Sequence, residues 1–379
     1  MEISKYSFGI GDRFSHEGIN QLKALIEAER RFGVHFTPVW NKSNREHMII
    51  GTEPGAVRAE ADAAVKALGY RDAYFCDADH INLSNVDKFL DACDFFTIDV
   101  ADFIGKAGSS EERYLPAVKE AGKIYRHIAE RKGADNFVTE VSMDEVAVAQ
   151  KPDEIRFILK ALADEKVPLQ TFAPKFTGRF NKGVDYVGDL AQFEREFEED
   201  LLVIDEAIKA YGLPANLKLS IHSGSDKFSI YPVMGRLIRK YDKGIHVKTA
   251  GTTWLEEIIG LALADPAALA LAKKIYRAAL TRMDELTVPY ATVIDVDAAK
   301  LPTPETVDGW DAQTFAKTLR HEETEPLYNP SFRQLMHVSF KVAAELGDEY
   351  YPALERHADV IGREITANIC DRHVARLFG

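Results

Sequence analysis

The sequence has little of what defines a disulfide-linked protein. Its 379 residues include only three cysteines, which are Cys76, Cys93 and Cys370, and none of them forms a CxxC pair. A sparse and odd number of cysteines argues against a disulfide framework. No G-x-G-x-x-G follows the first predicted strand, which weakly disfavours a dinucleotide-binding domain.

Long apolar runs are also missing. The longest apolar stretch, Ile258 to Leu271, is interrupted by Asp265 and Pro266, so we expect no segment to span a membrane. The opening MEISKYSFGIGDRF has neither the basic nor the apolar region of a signal peptide. We therefore expect a soluble, cytoplasmic protein.

Basic clusters are missing as well. The chain has 47 Lys and Arg against 60 Asp and Glu, for a net charge of -13. This balance disfavours nucleic acid as a partner, and no basic run suggests binding to anionic membranes. Hydrophobic residues make up 46% and charged residues 28%, which is ordinary for a globular protein and excludes a disordered chain.

Short β-rich runs alternate with amphipathic helical segments along the first 260 or so residues. The predicted strands are Tyr6–Gly11, Val34–Trp40, Ala73–Cys76, Phe95–Val100, Asn136–Val141, Leu169–Phe172, Leu217–Ile221 and Ile245–Lys248. Eight β/α units of this size predict an α/β fold, a (β/α)8 TIM barrel over residues 1–264. An open, doubly wound sheet is the alternative, because it alternates in the same way.

Beyond residue 264 the alternation stops, and residues 265–379 are predicted to form an α-helical C-terminal extension. The predicted helices are Asp265–Glu285, Ala312–Arg320, Ser331–Leu346 and Ala353–Leu377, and Pro289–Thr306 is predicted to be a loop. We expect these helices to pack on the barrel or on a neighbouring subunit, and the second arrangement would make a homo-oligomer.

Three histidines, His80, His222 and His246, lie at or near the ends of the third, seventh and eighth predicted strands. Catalytic residues of these barrels sit at the C-terminal ends of the strands. Imidazole is a common ligand of zinc and other divalent metals, and three ligands with one open position is typical of catalytic zinc. The sequence therefore predicts a metal site, although each histidine alone also fits a hydrogen-bonded polar role. Zinc, manganese, cobalt and nickel all suit these donors.

Two carboxylates are candidates for proton transfer at the same face. Asp79 directly precedes His80, and a carboxylate beside a metal can act as a base. An Asx turn after the strand is the alternative for Asp79. Glu140 lies within the apolar run NFVTEVS, where a buried carboxylate needs a partner, so a site role and a structural salt bridge are both open.

Polar residues at the same rim are candidates for binding the substrate. The segment 222–229 opens a helix, whose N-terminal N–H groups bind anions, or it is an ordinary cap with Ser225 or Asp226 at the N-cap. The predicted substrate-binding residues are Asp12, Lys175, Arg179, Ser223, Lys227 and Lys248.

The opening KYSFGIGDRFSHEG, the DADH at 77–80 and the IHSGSDKFSIYP at 221–232 resemble the tagaturonate epimerase family, over roughly residues 5–260. The resemblance implies a small sugar acid as the substrate. Tagaturonate and fructuronate differ at a hydroxyl-bearing carbon β to the ketone, where the carbonyl does not acidify the proton. Retro-aldol cleavage, rotation of the aldehyde fragment and re-addition is the direct route.

The Asp-His pair, the later His-x-Gly-Ser loop and GIHVKTAGTTW also resemble, more distantly, the class II zinc-dependent aldolases. That resemblance implies Asp79 as acid/base and His80, His222 and His246 as metal ligands. His222-Ser-Gly stands where those aldolases usually have His-Gly-Gly. An aldolase or lyase, a metal-dependent ketose isomerase or α-epimerase, and a non-catalytic sugar-acid-binding protein are the competing hypotheses.

Overall fold

A computed structural model describes residues 1–223, 226–248 and 252–379. Eight parallel strands form a closed barrel in the order β1 to β8, which confirms the (β/α)8 prediction and excludes the open sheet. The strands are β1 Tyr6–Ile10, β2 Thr37–Ser43, β3 Phe75–Ile81, β4 Phe95–Asp99, β5 Val138–Ser142, β6 Thr171–Ala173, β7 Lys218–His222 and β8 Ile245–Lys248.

Helices follow the strands and form an outer layer. The described α-helices of the barrel are α1 Gly18–Phe32, α2 Asn44–Ile50, α3 Gly55–Leu68, α4 Ser110–Lys132, α5 Pro152–Asp164, α6 Leu190–Tyr211, α7 Tyr231–Lys240 and α8 Thr252–Ala264. A single 3-10 turn, Val86–Lys88, stands between β3 and β4.

The C-terminal part is helical, as predicted. Its described α-helices are α9 Pro266–Thr281, α10 Met283–Thr287, α11 Pro304–Asp308, α12 Ala312–Leu319, α13 Pro330–Val338, α14 Phe340–Glu345, α15 Gly347–Thr366 and α16 Ala375–Phe378. Three predicted single helices are divided, at Arg282, at Ser339 and by the π-helical turn Ala367–Val374, and α11 begins inside the predicted loop and ends two residues beyond it.

The extension packs on the barrel. Trp254 Nε1 of α8 donates to the carbonyl oxygen of Met336 at 2.7 Å, and the buried Phe14 ring lies 4.9 Å from that of Tyr350. The buried pair Asp226 and Arg333, 2.8 Å apart, joins α13 to the segment after β7. These contacts confirm the packing on the barrel that was one of the two expected arrangements. None of the described helices is both long and apolar enough to cross a bilayer.

The barrel interior is apolar near its N-terminal end and polar near its C-terminal end. A small cluster of buried side chains fills the lower layer: Ile3, Val39, Phe75, Phe95 and Val138. Because side chains alternate along a strand, the next inward positions of β3 and β5 are Asp77 and Glu140. The strands therefore carry their charged residues toward the face where barrel enzymes place their active sites.

Candidate active site

A pocket of about 290 Å³ opens at the C-terminal ends of the strands. Its volume is close to the lower end of the range for small-molecule sites, about 300–1,000 Å³, which suits one small ligand. The described lining residues are Arg13, Ser43, Asn44, Arg45, Glu46, Met48, Asp79, His80, Asn85, Asp99, Glu145, Lys182, His222, Lys248 and Tyr290.

His80, Asp144 and His222 form a candidate metal group. Each offers one ligand atom, and these atoms lie within 4.8 Å of one another. The two imidazole rings are 5.1 Å apart, and His222 Nδ1 lies 3.4 Å from Asp144 Oδ2. Two imidazoles and one carboxylate are a donor set that catalytic zinc uses. The His80 and His222 predictions thus coincide with this group, and Asp144 was missed although it follows the end of β5 by two residues.

Carboxylates orient and charge both imidazoles. His80 Nδ1 lies 3.0 Å from Asp99 Oδ2, and His222 Nε2 lies 2.7 Å from Glu140 Oε1. Burial disfavours charged imidazole, but Asp79 and Asp99 outweigh it and raise the pKa of His80 to about 10. Asp144 and Glu140 likewise outweigh burial and raise the pKa of His222 to about 9. The group therefore favours positive charge.

The backbone at His80 is strained. Its φ is +52°, a left-handed value that costs a non-glycine residue on the order of 1–3 kcal/mol. The β3–β4 register shifts between Ala78 and Ile81, so a bulge re-aims this residue. The neighbouring Asp99 contact helps to hold the ring in place.

His246 lies away from this group. It pairs in register with Ser7 and Ser220, whereas His222 pairs with Lys248, two residues higher. At a rise of about 3.3 Å per residue, His246 is about 6.6 Å deeper in the barrel. Its Nδ1 lies 2.8 Å from Ser7 Oγ, its ring packs on Phe95, and burial lowers its pKa to about 3. His246 therefore lies apart from the grouped donors, and Asp144 lies beside His80 and His222 instead.

Lys248, on β8, joins three carboxylates from two other strands, β3 and β5. Its Nζ, 3% exposed, lies 2.7 Å from Asp77 Oδ2, 2.7 Å from Asp79 Oδ1 and 3.4 Å from Glu140 Oε1. It also donates to Thr97 Oγ1 at 2.6 Å. Asp79 therefore lies inside the strand in an ion pair, and not in an Asx turn.

The three carboxylates differ in proton affinity. Burial would raise all three pKa values, but Lys248 and His80 bring that of Asp79 to about 2. Lys248 and His222 hold the pKa of Glu140 well below its usual value. Burial prevails for Asp77, whose pKa rises to about 6 despite Lys248. Asp79 and Glu140 are thus ionised at neutral pH.

The comparison with protein families decides the relationship. A model described as tagaturonate epimerase matches residues 110–377, more than half of the chain. The chain belongs to the tagaturonate epimerase family. This confirms the resemblance, and the match reaches past residue 260 into the helical extension.

Individual relatives agree with the family. A tagaturonate/fructuronate epimerase of Thermotoga maritima is 26% identical over 98% of this chain and 81% of its own length. A glycerol-complexed fructuronate-tagaturonate epimerase of Cohnella laeviribosi superposes with a TM-score of 0.84 at 23% identity, over 100% of this chain and 82% of its own. A probable tagatose 6-phosphate kinase of Sinorhizobium meliloti gives a TM-score of 0.53 at 12% identity, over 98% of this chain and 100% of its own. The two structural likenesses show a shared fold.

In this member of the tagaturonate epimerase family, two predicted substrate-binding residues support loops. Asp12 accepts hydrogen bonds from four backbone N–H groups, those of residues 14 to 17, and is 3% exposed. Ser223 is fully buried, and its Oγ donates to the carbonyl oxygen of Lys248 at 2.8 Å. Neither is among the residues that line the described pocket.

Three predicted substrate-binding cations also lie elsewhere. Lys227 is buried and donates to the carbonyl oxygens of Asn181 and Val184 at 2.8 Å each. Arg179 is half-exposed and pairs with Asp295. Lys175 Nζ lies 6.0 Å from the centre of the Phe180 ring. The structure does not bring these three into the described pocket lining, which leaves Lys248 of the predicted set.

Ser225 and Asp226 were the two alternative predictions for the N-cap of the helix after β7. Ser225, with Gly224, lies outside the described residues. Asp226 is not a cap: it is buried, accepts from Arg333 Nη2 at 2.8 Å and from Asn368 Nδ2 at 3.1 Å, and lies 2.9 Å from His373 Nε2. It links the segment after β7 to the extension.

A cationic wall of the pocket was missed by sequence reasoning. Arg13, Arg45, Lys182 and Tyr290 line the pocket together, and they come from two loops, helix α2 and the extension. Arg45 is held by α2, whose capping box pairs Ser43 with Glu46. The S-x-x-E pattern at 43–46 was a signal for this helix.

Proposed function

We propose that the chain is a divalent-metal-dependent epimerase that interconverts D-tagaturonate and D-fructuronate. The observation that supports this most is the placement of the His80–Asp144–His222 group beside the ion cluster of Asp79, Glu140 and Lys248 at one pocket. The family of the chain and the names of its relatives supply the substrate pair.

The donor atoms suit a divalent cation. His222 Nδ1 is buried and without a hydrogen-bond partner, and the surrounding carboxylates exceed the single lysine in number. Zinc takes this donor set, and manganese, cobalt and nickel take the same ligand types. When bound, such a cation would act as a Lewis acid that favours negative charge on the substrate's ketone oxygen.

The reaction we propose is retro-aldol cleavage followed by aldol addition. A base removes the proton of the hydroxyl at the β carbon, the bond between the α and β carbons breaks, and its electron pair forms the enediolate of the ketone fragment. The β carbon becomes the aldehyde of a three-carbon acid. Rotation of this aldehyde and attack on its other face remake the bond, and the new alkoxide takes the proton back.

Asp79 and Glu140 are the proposed proton-transfer groups. Asp79 lines the pocket and is ionised, so it can accept the hydroxyl proton and return it after re-addition. Glu140 is fully buried between His222 and Lys248, and Lys248 Nζ, which also contacts Asp79, connects the two carboxylates for proton exchange. Lys248 keeps both carboxylates ionised and in place, which a neutral side chain could not do.

Carbon isotope effects test the bond cleavage without requiring release of a fragment. We expect a normal ¹³C kinetic isotope effect at both the α and β carbons during epimerisation of tagaturonate, with no deuterium from ²H₂O entering at the α carbon. Deuterium at the α carbon without a ¹³C effect at the β carbon would instead identify an α-epimerase or isomerase. Accumulation of aldehyde without epimer would identify an aldolase.

Metal dependence needs its own measurement. Elemental analysis should find near-stoichiometric divalent metal in the wild type and much less in His222→Ala, with conversion lost in the variant. Full conversion by protein stripped with a chelator would contradict the metal requirement while leaving the epimerase assignment intact.

A further inference from the structure

Two cations of the pocket flank one aromatic ring. Arg45 Cζ lies 4.7 Å from the centre of the Tyr290 ring, and Lys182 Nζ lies 5.6 Å from it. Arg45 comes from α2, Lys182 from the loop after β6, and Tyr290 from the extension after α10. Three distant segments of the chain therefore meet at one wall of the pocket, which the His80 and His222 rings also line.

Several polar groups of this wall lack a hydrogen-bond or ion-pair partner among the described residues. Among the residues described, neither Arg45 nor Lys182 has a carboxylate within 4.0 Å, whereas Arg13 pairs with Glu46. Tyr290 Oη and Arg13 Nε are buried without a hydrogen-bond partner. The acidic side chains at this wall are Glu46, already paired, and the exposed Glu145. The wall thus offers donors and positive charge to a ligand.

The cations repel one another. Burial, with Arg13 and Arg45 nearby, lowers the pKa of Lys182 to about 8 against the opposing effect of Glu46 and Glu145. A carboxylate bound here would relieve that repulsion and satisfy Tyr290 Oη. Guanidinium and ammonium groups that are partly shielded from water make the stronger, charge-assisted hydrogen bonds to carboxylates.

We propose that Arg45, Lys182 and Tyr290 form the subsite that binds the substrate's carboxylate and retains the aldehyde fragment between cleavage and re-addition. The retention rests on the proposed retro-aldol function. Cleavage leaves the carboxylate on the aldehyde fragment, which is the fragment that must rotate. Because the subsite holds the carboxylate, the fragment stays in the pocket while its aldehyde end turns. This retention is what distinguishes an epimerase from an aldolase, which releases the fragment.

The extension thereby becomes part of the active site. Tyr290 is 4% exposed and forms the face between the two cations. Phe340 of α14 packs on Arg13, with the guanidinium carbon 4.0 Å from the ring centre. The helices after residue 264 both close the pocket and hold its cationic side in place.

The test compares Arg45→Gln, Lys182→Gln and Tyr290→Phe with Lys88→Gln as a matched control. Lys88 is exposed, donates to Asn44 next to Arg45, and does not line the described pocket. The measurements are the KM for tagaturonate, the Ki of D-tagatose (the same carbon skeleton without the carboxylate), and the aldehyde acid released per epimer, trapped with a hydrazine.

In Arg45→Gln and Lys182→Gln we expect KM to rise about 10- to 100-fold, as for loss of a charged hydrogen bond, with the Ki of D-tagatose nearly unchanged. The trapped aldehyde should increase at least several-fold, and Tyr290→Phe should show the same pattern in weaker form. Lys88→Gln should match the wild type in all three measurements.

Several results would overturn the proposal. Equal changes in the KM for tagaturonate and the Ki of D-tagatose would mean that the cations do not recognise the carboxylate. A raised KM without additional trapped aldehyde would show that the subsite does not retain the aldehyde fragment. Its proposed role in the retro-aldol route would then be rejected. The wild-type protein could epimerise normally while the Arg45, Lys182 and Tyr290 variants behave like Lys88→Gln. That result would reject the subsite and leave the proposed function intact. Wild-type protein with no epimerase activity would reject the proposed function instead.

Discussion

Lys248 Nζ, at the end of β8, lies 2.7 Å from Asp79 Oδ1 near the end of β3, across the mouth of the barrel. The same ammonium group contacts Asp77 and approaches Glu140. One buried cation therefore balances carboxylates from two other strands. Such a cluster is costly to form, and each of its members depends on the others for its ionisation state.

Replacing Lys248 with Met should destabilise the protein by about 3–5 kcal/mol at neutral pH, because buried carboxylates lose their cation. Wild-type Asp79 has its pKa lowered to about 2, so its contribution to stability is present above its ordinary pKa of 3.8 and lost as pH falls through about 2. In the variant this pKa rises, so the stability deficit should shrink on acidification. Denaturant unfolding at several pH values measures both effects.

Lys240→Met is the control, since its pairing with Glu198 is solvent-exposed and should change stability by less than about 1 kcal/mol. A Lys248→Met deficit that does not depend on pH would contradict the electrostatic explanation.

Metal binding should depend on Asp144 and not on His246. Asp144→Ala removes one of three grouped donors, so we expect metal affinity to fall by a factor of at least 10, while His246→Ala retains the wild-type stoichiometry. Elemental analysis after dialysis against a weak chelator measures the difference. Loss of metal in His246→Ala with retention in Asp144→Ala would restore the three-histidine site.

Asp79→Asn should lower kcat by about 10²–10⁴, the usual contribution of a general base, with a small change in KM. Asp99→Asn, which weakens the contact that orients His80 and removes a charge beside it, should instead weaken metal binding by about 10–100-fold and recover activity when metal is added in excess. Steady-state kinetics at several metal concentrations separates the two. Rescue of Asp79→Asn by metal would argue against its role as a base.

Substrate binding should weaken as pH rises through about 8. Lys182 is protonated below that pKa and neutral above it, so the KM for tagaturonate should increase on the alkaline side while the Ki of D-tagatose stays level. Burial opposes ionisation of Glu46, but Arg13 holds the pKa of that carboxyl below its usual value, so Glu46 does not titrate in this range. Lys182→Gln should abolish the alkaline increase, and its persistence would assign the effect to another group.

The link between the barrel and the extension should be strong. Arg333→Leu removes the arginine partner of the buried Asp226 and leaves it with His321, His373 and Asn368 among the described residues, so we expect a loss of about 3–5 kcal/mol in the free energy of unfolding. Arg277→Leu, which breaks an exposed pair with Asp308, should cost less than about 1 kcal/mol. Equal effects of both variants would mean that burial of the Asp226 pair adds nothing.

Local patterns in the sequence were enough for the barrel and part of its site. The alternation of short β-rich runs with helical periodicity predicted eight strands and their order, because side-chain period and segment length are local properties. The strand ends then indicated Asp79, His80 and His222, and the motifs around them pointed to the tagaturonate epimerase family. Glu140 was identified because a carboxylate inside an apolar strand requires a partner.

Register and loop course were decided by the tertiary structure. His246 has the right residue type, but the pairing of β8 with β1 and β7 sets it two residues below His222, and no property of its own segment encodes that depth. Arg45, Lys182 and Tyr290 lie far apart in the chain and meet only when α2, the loop after β6 and the extension come together at the barrel mouth. Their association depends on non-local packing and charge, whereas the strands depended on periodicity that each segment carries by itself.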